Sequence, residues 1–593
     1  MNIARIFCIG FLILTFSLLS TAQTVDDKTK EIQKKEIALL EEILADAANL
    51  RLAENRALVY AQVGDKLWKV DEQKARGLFQ NSIDELLTAQ REAEFEKISQ
   101  QSVRSLIYGQ HPRWQILNLI ANRDAEFALD ALIKSRPPKL QTALNQLSAN
   151  RENSNRYSNY TSYAQTEIQS EQRYASLAAK QNPARMPELF RSSLKKKITY
   201  DTFNLLQQIQ QKDLDLANKL AEETLQALLK ISLNNGENIG VFYHFFNLFG
   251  NDANNNNQQI KISENYIRQM ADKLSVFWLS QNYQSDDITS NAFKAVEKNF
   301  PNRAAEYKQR QEKRKVQSEN QNPEHKRYTE LMKSNPSAEL LLKESKKFTN
   351  YRSSIYNTAL QKLTEEGNIA ELKSVLKNDF TEEESNSRLT QYYSNLASNL
   401  TSKGNYDEAL AVINEIPDEG NRFSPIIQLA NAIYYKNPKE NKQQALTILR
   451  RADALITEIP DNQNDVNKRI NLANAYSIIE PVEGFRLIET IINPINEYTK
   501  AYAVVSQFRN EGIVRQGEFI ISMGADATRQ FNLGQAWQNL KNEDFDQTVQ
   551  LINRFEQIET RISLKLQMIS SITNSQILNL PINTTRFSNV TVM

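Results

Sequence analysis

The side chains best suited to proton transfer or metal binding are three histidines, His111, His244 and His325, and no two of them fall at a metal-ligand spacing. His244 sits in the run Val241-Phe-Tyr-His-Phe-Phe246, which reads as a histidine packed on an aromatic helix. His111 precedes Pro112 and His325 falls in a charged segment, so both read as surface residues. No metal site, cofactor site or catalytic set is expected from them. The one cysteine, Cys8, lies in an apolar leader, which leaves no thiol nucleophile downstream. Ser192-x-x-Lys195 and Ser193-x-x-Lys196 would each place a hydroxyl and an amine on one helix face, as a lysine-activated serine needs. The supporting Ser-Asp-Asn and Lys-Thr-Gly motifs are missing, as are a G-x-S-x-G elbow, a P-loop and a G-x-G-x-x-G turn.

Paired carboxylates are the remaining route to catalysis, because two acids set roughly 5 to 9.5 Å apart can cleave a glycosidic bond. Glu344-Ser345 and Glu384-Ser385 superficially resemble the Glu-Ser of cell-wall lytic transglycosylases, exported helical superhelices that end in a glutamate-dependent domain. That resemblance would imply a carbohydrate-active enzyme. Neither pair is followed by the Gly-Leu-Met-Gln type of segment such a domain needs, and solvated helix faces account for both. Tyr157, Tyr160 and Tyr163 could line a groove for sugars or peptides, although their spacing suits a helix-packing stripe better. The cations Lys308, Arg310, Lys313, Arg314 and Lys315 are interleaved with Glu306, Glu312 and Glu319, the pattern of a solvated helix laced with ion pairs.

The elements that must position these residues are helices. Gly and Pro number only 15 each in 593 residues, too few for the tight turns of an all-β fold. Apolar residues recur at spacings of three and four, as in Leu214, Ala217, Leu220, Ala221, Leu225, Leu228 and Leu229. A junction repeats along the chain: Asp or Asn opens a helix, and a small or apolar residue follows four positions later. It occurs at Asp124/Ala128, Asp213/Ala217, Asn368/Leu372, Asn405/Ala409 and Asp544/Thr548. The first residue can accept hydrogen bonds from exposed helix N–H groups, and the later one lets the paired helix approach. Leu119-Ile-Ala-Asn-Arg-Asp124 and Leu177-Ala-Ala-Lys-Gln-Asn182 look like copies of one another.

Tyr393-x2-Leu396-Ala397-x2-Leu400, followed by Gly404-Asn405-Tyr406 and Ala409, resembles the tetratricopeptide repeat, with Tyr393 in place of the usual Trp. The frame returns at Ile426-x2-Leu429-Ala430-x2-Ile433 and at Arg469-x2-Leu472-Ala473-x2-Tyr476. These frames lie 33 and then 43 residues apart, against a family period of about 34. The likeness spans residues 390–495 and implies degenerate repeats. As a whole the chain resembles exported bacterial helical-repeat proteins, a likeness that carries no activity with it. The expected fold is all-α: helix-pair repeats stacked as an irregular α-solenoid in two blocks, residues 23–301 and 336–575, around a charged hinge or exposed helix at 302–335. Asn251 to Gln259 reads as a solvated loop, and 576–593 as an extended or disordered tail.

Residues 1–22 place Arg5 before an apolar run, Ile6 to Leu19, and a small-residue close, Ser20-Thr21-Ala22, the order of a secretory signal peptide. The apolar run has 14 residues, short of the roughly 20 that span a bilayer, so cleavage after Ala22 is expected. Removing 22 of the 593 residues, Arg5 and Cys8 among them, leaves 571 residues with 71 basic and 71 acidic side chains. Zero net charge argues against a nucleic-acid partner or an anionic membrane surface. The sequence therefore predicts a secreted or periplasmic, non-catalytic scaffold that binds a protein or peptide. The helical enzyme with paired carboxylates is the alternative.

Overall fold

In the computed structural model the described residues are 31–95, 112–149, 159–196, 198–233, 236–249, 260–280, 290–321, 323–457, 460–509, 512–523, 531 and 533–569. The leader 1–22, His111, Tyr157, the loop 251–259 and the tail 576–593 lie outside them, as do the side chains of Tyr160, Tyr163, Lys195 and Lys196. Among the described residues the chain is all-α apart from one short hairpin, and its helices pack in sequential pairs.

The repeated junction explains the pairing. Asp124, Asp213, Asn368 and Asp544 each accept a hydrogen bond from the backbone N–H three residues on, at 3.0, 2.9, 3.3 and 2.9 Å. Each such bond satisfies a donor that the helix leaves open at its start. Asn405 holds the same position without a side-chain cap bond; its amide donates to Glu408 instead. Ala128, Ala217, Leu372, Ala409 and Thr548, four residues beyond each cap, are all buried where the partner helix crosses. Asp71 and Ala75 repeat this arrangement, with Asp71 accepting from Lys74 N at 2.9 Å and Ala75 buried.

Two further pairs use proline at the first helical position, Pro438 and Pro481, where the missing N–H costs nothing. In the second, the helix Pro481–Phe508 lies so close to Gln463–Ile479 that a Cβ on Gly484 would sit 2.9 Å from Ser477 Cα. Because the obstacle is backbone, Gly484→Ala is expected to force the helices apart and to cost about 1–3 kcal/mol. A chemical-denaturation midpoint equal to wild type would contradict this.

The chain divides into two units, one made of residues 1–89 with 460–593 and the other of residues 90–459. In the larger unit the main core gathers Phe190, Phe203, Phe242, Phe245, Phe246 and Trp278. The charged stretch 302–335 forms the helices Pro301–Gln321 and Pro323–Lys333. Ala304 and Tyr307 in its first turns join this core, with the Tyr307 ring 5.0 Å from Trp278. Its cations pair with nearby acids: Lys308 with Glu297 at 2.8 Å and Arg310 with Glu306 at 2.6 Å.

A polar seam crosses this unit. Arg113, wholly enclosed, donates from both terminal nitrogens to Glu167, at 2.8 and 3.0 Å, and from Nε to Ser135 Oγ at 2.9 Å. Arg136 joins the same carboxylate at 2.8 Å and extends to Glu171 at 2.6 Å. The seam carries two cations and two anions, so its charges cancel inside the helix stack.

The other unit combines the described segments 31–89 and 460–569. Its first helix, residues 31–47, supplies Glu36 to Lys541 at 2.7 Å, and Glu42 and Asp46 to Lys565 at 2.7 and 2.8 Å. Lys66 donates to Ile569 O at 3.0 Å, and burial pushes its ammonium below the usual lysine range. Desolvating such pairs offsets most of their attraction.

Sequence periodicity suggests helix throughout this unit, but residues 514–519 instead form an antiparallel hairpin that pairs Val514 with Phe519 and Arg515 with Glu518. Gln516 and Gly517 at its tip both have positive φ, 50° and 76°, the conformation a two-residue hairpin turn requires. The hairpin holds the chain that leads into a distant helix. Ala53–Leu67 has Leu52 at its N-cap and no side-chain cap of its own. Glu518 accepts instead from Arg51 N at 2.6 Å and from Asn55 Nδ2 at 2.6 Å. Asn55 returns the contact by accepting from Ile521 N at 2.9 Å. Arg515 pairs with Glu54 beside it.

Candidate functional site

Several of the described residues singled out for chemistry are engaged in structure. Glu384 is the third helical residue of Glu382–Lys403 and forms a capping box with Thr381. The backbone N–H of Thr381 holds its carboxyl below the usual carboxylate range. Ser385 Oγ donates to Leu376 O at 2.9 Å. Glu344 pairs with Lys347 at 2.6 Å, and Ser345 is buried with its hydroxyl on Leu342 O. Ser193 is buried, while Ser192 is exposed. Among the described residues no group of three or more His, Cys, Asp or Glu could hold a metal ion.

His244 packs edge-on against Tyr200 and Phe203, with ring centroids 5.0 and 5.7 Å away, and burial lowers its pKa. The unfolded chain therefore takes up a proton near pH 6.5 more readily than the folded one does. Stability from this residue is complete above that pH and falls as pH drops through it. The melting temperature of the wild type should thus decline more between pH 7.5 and 5.5 than that of His244→Phe; parallel declines would contradict the assignment. His325 lies on the surface, its Nδ1 2.9 Å from Tyr351 Oη.

A cavity with room for a small group lies between two first helices of successive pairs, Glu382–Lys403 and Phe423–Lys436. Their inward faces are set by Tyr393 and Ala397 on one and by Ile426, Leu429, Ala430 and Ile433 on the other, all buried. With those rows turned into the stack, the next positions round each helix must face the gap. There they leave a cavity of about 260 Å³, lined by Ala397, Ser398, Thr401 and Ser402 on one wall and by Pro425, Gln428 and Ala432 on the other. No lining side chain is charged.

Two of the lining hydroxyls are satisfied by their own helix: Thr401 Oγ1 donates to Ala397 O at 2.7 Å and Ser402 Oγ to Asn399 O at 2.7 Å. Tyr435 continues the face of Gln428 and Ala432 by three more residues and is 62% exposed. Beside it, Lys436 lies over the Tyr406 ring at 5.1 Å. The arrangement is a neutral slot with an aromatic edge, suited to holding a side chain and without groups to transform it. Sequence reasoning placed the frames that build these walls but passed over the slot, because small neutral residues carry no chemical signature.

No protein-family model matches the chain, and no curated protein does. Among solved structures it is similar to a circular tandem repeat protein with novel repeat topology and enhanced subunit contact surfaces. Identity is 12%, the alignment covers 88% of this chain and 98% of that one, and the TM-score is 0.14. The helical-repeat fold described above rests on the chain's own helix pairs. No helix among the described residues is long and apolar enough to cross a membrane.

Proposed function

We propose that the protein is an exported, non-catalytic scaffold that holds an extended peptide or protein segment between the helices Glu382–Lys403 and Phe423–Lys436. The observation that carries this reading is the uncharged cavity between Ser398 and Gln428, open on a face that helix packing leaves free. Helix-pair stacks offer such channels between successive first helices, and an extended chain fits them with little reorganisation. Export is supported by the leader pattern of residues 1–22 and by a downstream chain that needs no disulfide.

The test places a photo-crosslinking amino acid at Ser402, on the slot, and in a parallel protein at Lys439, outside it. Both are expressed with the full leader and recovered from the exported fraction. Crosslinks to a peptide or protein from Ser402 and not from Lys439, on chains whose N-terminus is Gln23, are the expected result. Retention of the leader would remove export from the reading. Absence of any slot-specific crosslink, together with turnover of a cell-wall or polysaccharide substrate, would replace the scaffold by the enzyme.

A further inference from the structure

We infer that the C-terminal end of the helix Pro481–Phe508 is a docking face for residues 577–582 of the same chain. The outward positions of this helix are polar at first, with Arg486, Glu489, Asn493, Glu497 and Lys500 all exposed. Its last two turns break that pattern. Ala501, Val504, Val505 and Phe508 follow at the spacing of one helical stripe, and all four are exposed. Phe508 is 94% exposed, more than any other large apolar side chain among the described residues, and Val504 is 67% exposed. The opposite row is already satisfied: Ile495, Thr499 and Ser506 are buried, and the Tyr502 ring stacks on Phe519 at 6.1 Å. Single exposed apolar residues are ordinary, whereas a contiguous stripe marks a contact surface.

Area decides between occupants. One phenylalanine offers about 150–250 Å² and the two valines add less, so the stripe falls well short of the roughly 800 Å² per partner that a stable complex of separate chains needs. A tethered segment needs far less contact, because its effective concentration is already high. Residues 570–593, which lie outside the described residues, carry a single charge, Arg586, and read Ile-Leu-Asn-Leu-Pro-Ile over 577–582. Leu578, Leu580 and Ile582 alternate, so an extended backbone would present all three to one side over about 13 Å. The stripe from Ala501 to Phe508 is about 10 Å long. Reach permits the contact. Lys66 fixes Ile569 O at 3.0 Å, and from there the helix Ile558–Met568, roughly 16 Å long, leads back to Glu559. Glu559 accepts from Phe519 N at 3.1 Å, beside Tyr502. Leu578 follows Ile569 by nine residues, an extended reach of about 30 Å.

The docking is independent of the scaffold reading and is tested without it. The chain has one cysteine, Cys8, so a Cys8→Ser background reports only introduced thiols. In the full chain, Val504→Cys with Leu580→Cys should form an intrachain disulfide under mild oxidation at least tenfold faster than Val482→Cys with Leu580→Cys. Val482 is similarly exposed but lies at the far end of the same helix. Adding Phe508→Asp to the first pair should slow its reaction at least fivefold, because a carboxylate on the face opposes an apolar segment. Mass spectrometry of the digest identifies the link, and non-reducing gels separate intrachain from interchain products. Equal rates for the two pairs, or no effect of Phe508→Asp, would overturn the inference. A predominantly interchain disulfide would assign the stripe to a second copy and overturn it as well.

Discussion

Glu518→Ala is expected to lower the stability of the unit formed by residues 1–89 and 460–593 by about 2 kcal/mol, the cost of removing the acceptor of one buried and one partly buried donor. The carboxylate accepts from Arg51 N and Asn55 Nδ2, both at 2.6 Å, and is itself buried. Without it the segment that leads into the helix Ala53–Leu67 loses the acceptor of Arg51 N and, at 3.4 Å, of Leu52 N. Glu518→Gln retains one acceptor oxygen and should lose roughly half as much. Trp68, immediately after that helix and stacked on Phe79 at 5.6 Å, reports the transition by fluorescence. A denaturation midpoint unchanged in the alanine variant would show that the hairpin does not hold the helix.

The second large effect lies in the polar seam of the larger unit. Glu167→Ala leaves Arg113 charged, wholly enclosed and short of its bidentate partner. Breaking one side of such a pair costs about 3–5 kcal/mol. The double variant Arg113→Met with Glu167→Leu removes both charges and should recover much of that loss, since apolar side chains of similar volume can replace a buried pair. Hydrogen exchange in the helix Pro112–Arg123 reads the unit directly. Equal protection in Glu167→Ala and wild type would contradict the seam's role, and additive losses in the double variant would contradict the pairing.

Much of the fold was legible because its determinants are local. The junctions at Asp124, Asp213, Asn368 and Asp544 announce themselves within five residues, and the cap bonds lie where that spacing puts them. Asp71 carried the same signal and could have been found by it. The frames at Tyr393 and Ile426 likewise marked which helix faces turn inward. Long-range polar contacts were not legible. Glu518 and Arg51 are 467 residues apart, and Arg113 and Glu167 are 54 apart. In sequence each looks like an ordinary surface charge. The hairpin offered only Gly517 and a few alternating residues, below the length at which period two can be told from chance. Glu384 was visible as a carboxylate, but its capping box with Thr381 gives it a structural task.

The larger unit is an insertion: the chain leaves the terminal unit after residue 89 and re-enters it at residue 460. The two segments of the terminal unit are therefore joined by the lysine–carboxylate contacts of Glu36 with Lys541 and Asp46 with Lys565. One peptide-bond scission within residues 90–459 should yield a heterodimer rather than a released fragment. A protease site placed at the turn after Gly404, where φ is 82°, makes this measurable. After cleavage the protein should elute as one species in native buffer and run as two bands once denatured. Two species in native buffer would mean that the segments around Glu36 and Lys541 do not hold each other. If they do, the protein can be cut once between residues 90 and 459 and still travel as a single particle.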